Sequence, residues 1–239
     1  MARPSLVDQV ADALLDRIIS GDFPPGAVIP GEIDLSSEHA VSRMTVREAI
    51  KTLGAQRILR VERGRGTFVN PVSQWASLHA VLRAVSEGQD DAKAAVQLIE
   101  LRRFLETGAC ELAAGRLSAE ELAGLSRDVD AMENAHGSQD VAAFVAADLH
   151  FHDQILQASG NVFMAVLFEP LHRVLQERRV QTSRVPEIQT HAIAEHRKIV
   201  DALASTDSVR ARQAMDEHMQ QTLSDLKTYV LGDDSPADR

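Results

Sequence analysis

The sequence predicts a mainly α-helical protein with a small β wing, an N-terminal winged helix-turn-helix followed by a C-terminal antiparallel all-α helical bundle. Three observations predict it. Over residues 41–69 a short basic helical pattern runs straight into a glycine-punctuated hairpin. From residue 93 onward apolar residues recur at helical spacing, with no alternating strand signal of any length. The charge also divides along the chain. Residues 39–70 carry seven basic and two acidic side chains, whereas residues 71–239 carry 16 basic against 26 acidic.

The first helix is opened by Ser5 as a cap, is held inward by Leu6, Val10, Leu14 and Ile18, and stops at Gly21. Pro24-Pro25-Gly26 is a turn, and residues 31–38 form a short second helix. A third helix spans residues 44–55. Ser42 and Thr45 both suit its N-cap, and Thr45-x-x-Glu48 reads as a capping box. Val46, Ile50 and Leu53 pack inward, which turns Arg43, Arg47 and Lys51 outward along the other side. Arg60 to Glu62 and Thr67 to Val69 are two short strands around Arg63-Gly64-Arg65-Gly66, whose glycines allow a tight turn while its arginines point away. A helix shaped for the major groove beside a basic hairpin tip suited to a minor groove implies duplex DNA as partner.

Asn70-Pro71 closes this domain at residues 1–70, and a connector with the lone Trp75, with room for a short helix, covers residues 71–92. A helical bundle of residues 93–230 follows, with helices near 93–116, 118–134, 139–158, 161–180, 187–204 and 207–230. An acidic, frayed tail of residues 231–239 ends the chain.

Composition excludes several classes. The 239 residues are 44% apolar, enough for a real core in one or two domains. The single Cys110 excludes a disulfide framework and a Cys-rich zinc finger, which fits a reducing cytoplasm. No apolar run reaches the roughly 18 residues of a membrane span, and the N-terminus lacks a signal-peptide core, so no membrane partner is expected. The net charge of −10 resides wholly in the second part, because residues 1–70 balance at nine basic and nine acidic. The local excess in residues 39–70 is the footprint that phosphates require.

Inside the bundle, polar residues occupy positions that an ordinary core gives to leucine. The stripe Val141, Phe144, Val145, Asp148, Leu149, His152, Ile155, Leu156 puts Asp148 and His152 inward one turn apart. His196 lies in the stripe Ala192, His196, Ile199, Val200, Leu203, and His218 in Met215, His218, Met219, Thr222, Leu226. One such histidine is ordinarily a core residue satisfied by a backbone carbonyl. Three with a carboxylate are costly to bury unless a divalent cation pairs with them, and an N3O donor set suits zinc or nickel. His150, His172 and His191 fall off the stripes and are expected in solvent. Arg102 and Glu106 also point inward from the first bundle helix. They can form an intrahelical pair, or Arg102 can fork onto a carboxylate ligand beside the metal.

These residues resemble the GntR superfamily of bacterial transcription regulators, specifically the FadR subfamily with its FCD ligand-binding domain. The family pattern of a Pro-Gly, then V-[ST]-R-x-x-[VL]-R-E-A-[LI] and a G-x-G-T-x-V wing, is matched by Pro25-Gly26, residues 41–50 and residues 64–69. The family's Asp-x3-His followed by two later histidines is matched by Asp148, His152, His196 and His218. The resemblance implies that Arg43 and Arg47 contact bases and phosphates, that Ser42 and Thr45 sit on phosphates, and that Arg63 and Gly64 enter the minor groove. It implies that Arg102 meets an acidic effector. One departure stands out: the usual P-S-E-R-E-L is here Pro30-Gly31-Glu32-Ile33-Asp34-Leu35, so Ile33 replaces an arginine that commonly reads the operator.

The resulting expectation is a non-enzymatic, cytoplasmic, metabolite-responsive repressor. It would act as a homodimer on palindromic operator DNA, with a zinc or nickel ion and a small organic-acid or sugar-acid effector. Two other classes remain beside it: a metal-dependent enzyme carrying a DNA-binding domain, and an architectural DNA protein without effector.

Overall fold

A computed structural model describes residues 5–86 and 91–232, apart from a few side chains, among them that of His172. The expected tail beyond Gly232 and residues 87–90 of the expected connector lie outside the described residues. The chain divides into two compact units, Met1–Asp91 and Ala92–Arg239. Among the described residues no helix is long and apolar enough to cross a membrane.

In the first unit, α1 (Leu6–Ile19) opens on Ser5. Its Oγ accepts the Asp8 backbone N–H at 3.2 Å, while the Asp8 carboxylate accepts the Ser5 N–H at 3.2 Å. A seven-residue α2 (Glu32–Glu38) and α3 (Arg43–Ala55) complete the helix-turn-helix. The start of α3 corrects the expected capping box. Ser42 is the cap, accepting the Thr45 N–H at 3.1 Å, and Thr45 already lies inside the helix. Glu48 instead accepts from Lys51 Nζ at 2.8 Å.

Strands β1 (Leu59–Glu62) and β2 (Gly66–Val69) pair antiparallel from Leu59↔Val69 to Glu62↔Gly66. Gly66 has φ +122, and a Cβ there would stand 3.0 Å from the Val28 side chain, so the hairpin admits little else at that position. Val28 bridges Phe68 from the other edge of β2. Beneath the wing, Leu14, Leu35, Val46, Leu53, Ile58 and Val69 form one buried cluster.

That cluster reaches past the hairpin. Trp75 and Ala80 belong to it, and Trp75 Nε1 donates to the Asn70 carbonyl at 2.9 Å. Residues expected as connector thus supply a 3-10 turn (Val72–Gln74) and α4 (Leu78–Ser86), both part of the first unit.

The second unit contains α5 (Asp91–Ala113), α6 (Ala119–Gly137), α7 (Val141–Ala158), α8 (Val162–Thr182), α9 (Pro186–Ala204) and α10 (Ser208–Asp225), the last continued by a wider turn over Leu226–Leu231. Within the bundle α6 packs on α7 and on α9, α7 on α8, and α9 on α10. Ser118, Asp140, Asn161 and Asp207 cap four of these helices with their side-chain oxygens, and Pro186 occupies the first turn of α9, where a missing N–H is harmless. Arg103 on α5 forks onto Asp216 on α10, at 2.5 Å from Nε and 2.8 Å from Nη2. Ala95 and Ile99 pack on Leu226, so α5 and the end of α10 also share an apolar contact.

Candidate functional site

Two constellations carry chemistry, one in each unit. On the first unit, Ser42, Arg43 and Arg47 lie exposed along the start of α3, and Arg63 and Gly64 lie exposed at the hairpin tip. Thr45 is half-buried, its Oγ1 2.9 Å from Ser42 Oγ. Gly64 takes φ +73, which a side chain would strain, so the tip needs glycine there. Arg43 and Arg63 have no hydrogen-bond or ion-pair partner among the described residues, although the Arg43 charge also acts on the Glu32 carboxylate. Arg65 differs, because it folds back onto Glu62 and over the Phe68 ring. Arg47 is also engaged: its Nε donates to Glu32 Oε1 at 2.9 Å and its Nη2 to Glu32 Oε2 at 2.7 Å. Ile33 and Met44 are exposed large apolar residues of the same two helices, at 60% and 58%.

In the second unit, Asp148, His152, His196 and His218 are all buried. The three histidines, from α7, α9 and α10, each offer a ring nitrogen, and these atoms lie within 4.8 Å of one another. His196 Nδ1 lies 2.5 Å from the Ala192 carbonyl, its natural acceptor, which leaves Nε2 as the free lone pair. His152 Nδ1 lies 2.5 Å from Glu106 Oε2, and its Nε2 faces the other two histidines. The two Nε2 atoms stand 3.2 Å apart. Asp148 Oδ1 lies 3.2 Å from His196 Nε2 and 3.9 Å from His152 Nε2, and its other oxygen is ion-paired with Arg179.

His218 decides what this cluster is for. Both of its ring nitrogens are buried with no hydrogen-bond partner among the described residues, while the ring stacks on His152 at 5.3 Å and meets His196 edge-on at 4.5 Å. An unmade buried hydrogen bond costs about 1–3 kcal/mol, so an ordinary core would not keep it. Burial, and after it the neighbouring histidines, push His196 and His218 well below the usual imidazole range. Neutral rings keep the lone pairs that a metal needs. Three such nitrogens and one carboxylate oxygen fit a divalent ion.

Arg102 and Glu106 are buried on α5 and paired, with Arg102 Nε donating to Glu106 Oε1 at 2.6 Å. Burial alone would raise the Glu106 carboxyl, but the charge of Arg102 and the contacts from His152 and Arg102 outweigh it and hold the group below the carboxylate range. Sequence reasoning found all of these residues and missed Arg179. Its signal was present, since Phe168, Leu171, Leu175 and Arg179 share one face of α8. His150 is exposed against Asp128, and His191 is partly buried against Asp225 at 2.9 Å; the side chain of His172 lies outside the described residues.

Comparison with known proteins matches both units. The model of the FCD domain covers residues 97–221, and that of the gntR family of bacterial regulatory proteins covers residues 6–69. The galactonate operon transcriptional repressor of Escherichia coli (strain K12) is 31% identical over 211 residues, 87% of this chain and 90% of that protein. The HTH-type transcriptional regulator YieP of the same organism is 29% identical over 214 residues, 89% of this chain and 92% of its own length. Among solved structures, a GntR protein of Streptococcus agalactiae superposes with a TM-score of 0.52 at 28% identity, covering 91% of this chain and 99% of that one.

Proposed function

The chain belongs to the gntR family of bacterial regulatory proteins and carries an FCD domain, and from that premise we propose that it is a metabolite-responsive repressor whose second unit senses a small carboxylate beside a bound metal ion. It is a transcriptional regulator, as the relatives are, rather than a metal-dependent enzyme. In this reading the first unit binds a palindromic operator in the cytoplasm as part of a homodimer, with Ser42, Arg43, Thr45, Arg47, Arg63 and Gly64 on the DNA. The second unit holds the dimer together and binds the effector.

The observation that carries the reading is His218, whose two buried nitrogens have no hydrogen-bond partner among the described residues, next to the ring nitrogens of His152 and His196. Asp148, His152, His196 and His218 would hold zinc or nickel, which supplies a Lewis-acidic point for one carboxylate oxygen. Arg102, on the Glu106 that meets His152, and Arg179, on Asp148, bring two guanidinium groups to the residues of this centre, and such groups suit a carboxylate in a dry site. The name of the galactonate operon relative supports a sugar acid, or a chemically similar hydroxy acid, as the effector. Effector binding would change operator affinity only through its different affinity for the two arrangements of the dimer.

The test is native mass spectrometry of untagged protein purified without chelators, followed by gel shifts on its own promoter region with a panel of sugar and hydroxy acids. A metal adduct together with release of the DNA by one acid is expected. Metal-free protein that ignores every acid in the panel would overturn the reading.

A further inference from the structure

The bidentate contact between Glu32 and Arg47 joins the first turn of α2 to the second turn of α3 across the helix-turn-helix. We propose that Glu32 is a specificity-determining positioning residue that presents the outer edge of the Arg47 guanidinium to a guanine in the operator major groove. The proposal rests on the reading of α3 as the recognition helix.

The donor geometry makes the argument. A guanidinium carries one hydrogen on Nε and two on each Nη. Glu32 takes the side formed by Nε and Nη2, with N···O distances of 2.9 and 2.7 Å. What remains free is the end formed by Nη1 and the second hydrogen of Nη2. That end is itself a fork, and its spacing matches the O6 and N7 acceptors of guanine. Both side chains are partly exposed, Arg47 at 46% and Glu32 at 29%, so the pair stands on the surface, where groove contact is possible.

A long arginine left free would be ordered only on meeting DNA. Here the side chain is already held, which favours one orientation over the many that a phosphate contact tolerates. Charge points the same way. A carboxylate beside a phosphate-binding arginine would repel that phosphate, whereas base edges lie away from the backbone and guanine offers only acceptors there. The Arg47 hydrogen bonds hold Glu32 below its ordinary carboxylate range, so the pair stays ionised at neutral pH. Arg43 and Arg63 make no such bidentate contact among the described residues and keep the general electrostatic role.

The experiment selects bound sequences from a randomised duplex pool with the full-length wild type and with Arg43→Ala, Arg47→Ala, Glu32→Gln and Glu32→Asp, and measures the affinity of each for an unselected duplex by anisotropy. Circular dichroism melts confirm that each variant is folded. The wild type should require guanine at one position of each half-site, and Arg47→Ala should lose that requirement. Glu32→Gln keeps the shape but cannot accept both hydrogens. It should weaken the guanine preference about tenfold, while its affinity for the unselected duplex holds or rises because a negative charge is gone. Glu32→Asp keeps the charge but is too short to reach both nitrogens, and should also weaken the preference. A Glu32→Gln protein with the wild-type guanine preference, or one that binds every sequence more tightly with the preference intact, would overturn the proposal and make Glu32 a mere brake. Arg43→Ala and Arg47→Ala proteins that both bind and select as the wild type does would overturn the recognition-helix reading itself.

Discussion

Glu106 on α5 and His152 on α7 meet at 2.5 Å between Oε2 and Nδ1, with Arg102 holding the other oxygen of the same carboxylate at 2.6 Å. The row Arg102, Glu106, His152 thus puts a carboxylate behind the ring of His152, on the side away from His196. Carboxylates behind metal-ligating histidines commonly account for about 10–100-fold in metal affinity. Glu106→Gln should lower zinc affinity by about that range, read by chelator competition, with the helical content unchanged. An unaltered affinity would reduce Glu106 to a charge partner of Arg102.

Metal removal should destabilise the protein by mass action. Dialysis against a chelator is expected to lower the melting temperature, and zinc or nickel at about 100 times its Kd should restore about 2.7 kcal/mol. His218→Ala should abolish both the metal content and the restoration, because it deletes a ligand from the triad. A melting temperature indifferent to chelator and metal alike would return the three histidines to ordinary core residues.

The two free arginines of the first unit should act through charge. Arg43→Ala and Arg63→Ala are each expected to weaken binding to all sequences and to reduce the slope of log affinity against log salt by about one. Titrations at several salt concentrations check this. A slope unchanged in both variants would remove these residues from the DNA contact.

Arg102 has two roles to separate. Loss of one partner of a buried ion pair costs about 3–5 kcal/mol, so Arg102→Ala should melt earlier than the wild type. Below that temperature it should still bind operator and metal, yet fail to release DNA at the effector concentration that releases the wild type. Release at the wild-type concentration would leave Arg102 with Glu106 alone.

Cys110 is fully buried, and its thiol is pushed up to about 12, by burial first and by the Glu106 charge second. The unreactive thiol form therefore prevails at neutral pH. The native protein should resist thiol reagents, and one thiol per chain should react in denaturant. Rapid labelling of the native state would show that the α5 segment opens.

Much of this was legible in the sequence because it is local or periodic. Ser5, Ser118 and the links between bundle helices are written in capping and turn residues, and Asp148, His152, His196 and His218 each break an apolar stripe that their own helix displays. What escaped depends on partners distant in the chain. Nothing in the local pattern of Arg47 announces Glu32, fifteen residues earlier, because that pair exists only once α2 and α3 are packed. At the start of α3 the sequence offers Ser42 and Thr45 as equally competent caps; the backbone gives the role to Ser42, so the capping box read at Thr45 and Glu48 does not form. Trp75 was assigned to a connector because a lone aromatic among polar residues has no period to reveal its burial.

The position of that tryptophan gives the protein a built-in optical probe. The chain has one tryptophan, and its indole is sealed in the core of the first unit with its N–H on the Asn70 carbonyl, while the sole tyrosine, Tyr229, follows α10 in the second. Emission excited at the red edge of protein absorption therefore comes from the first unit alone, whereas far-ultraviolet ellipticity is dominated by the six bundle helices. A denaturant titration followed in both signals reads the two units separately in one cuvette without any label. Coincident curves would mean that the units unfold together, and separated curves would time the loss of the DNA-binding unit against that of the sensor.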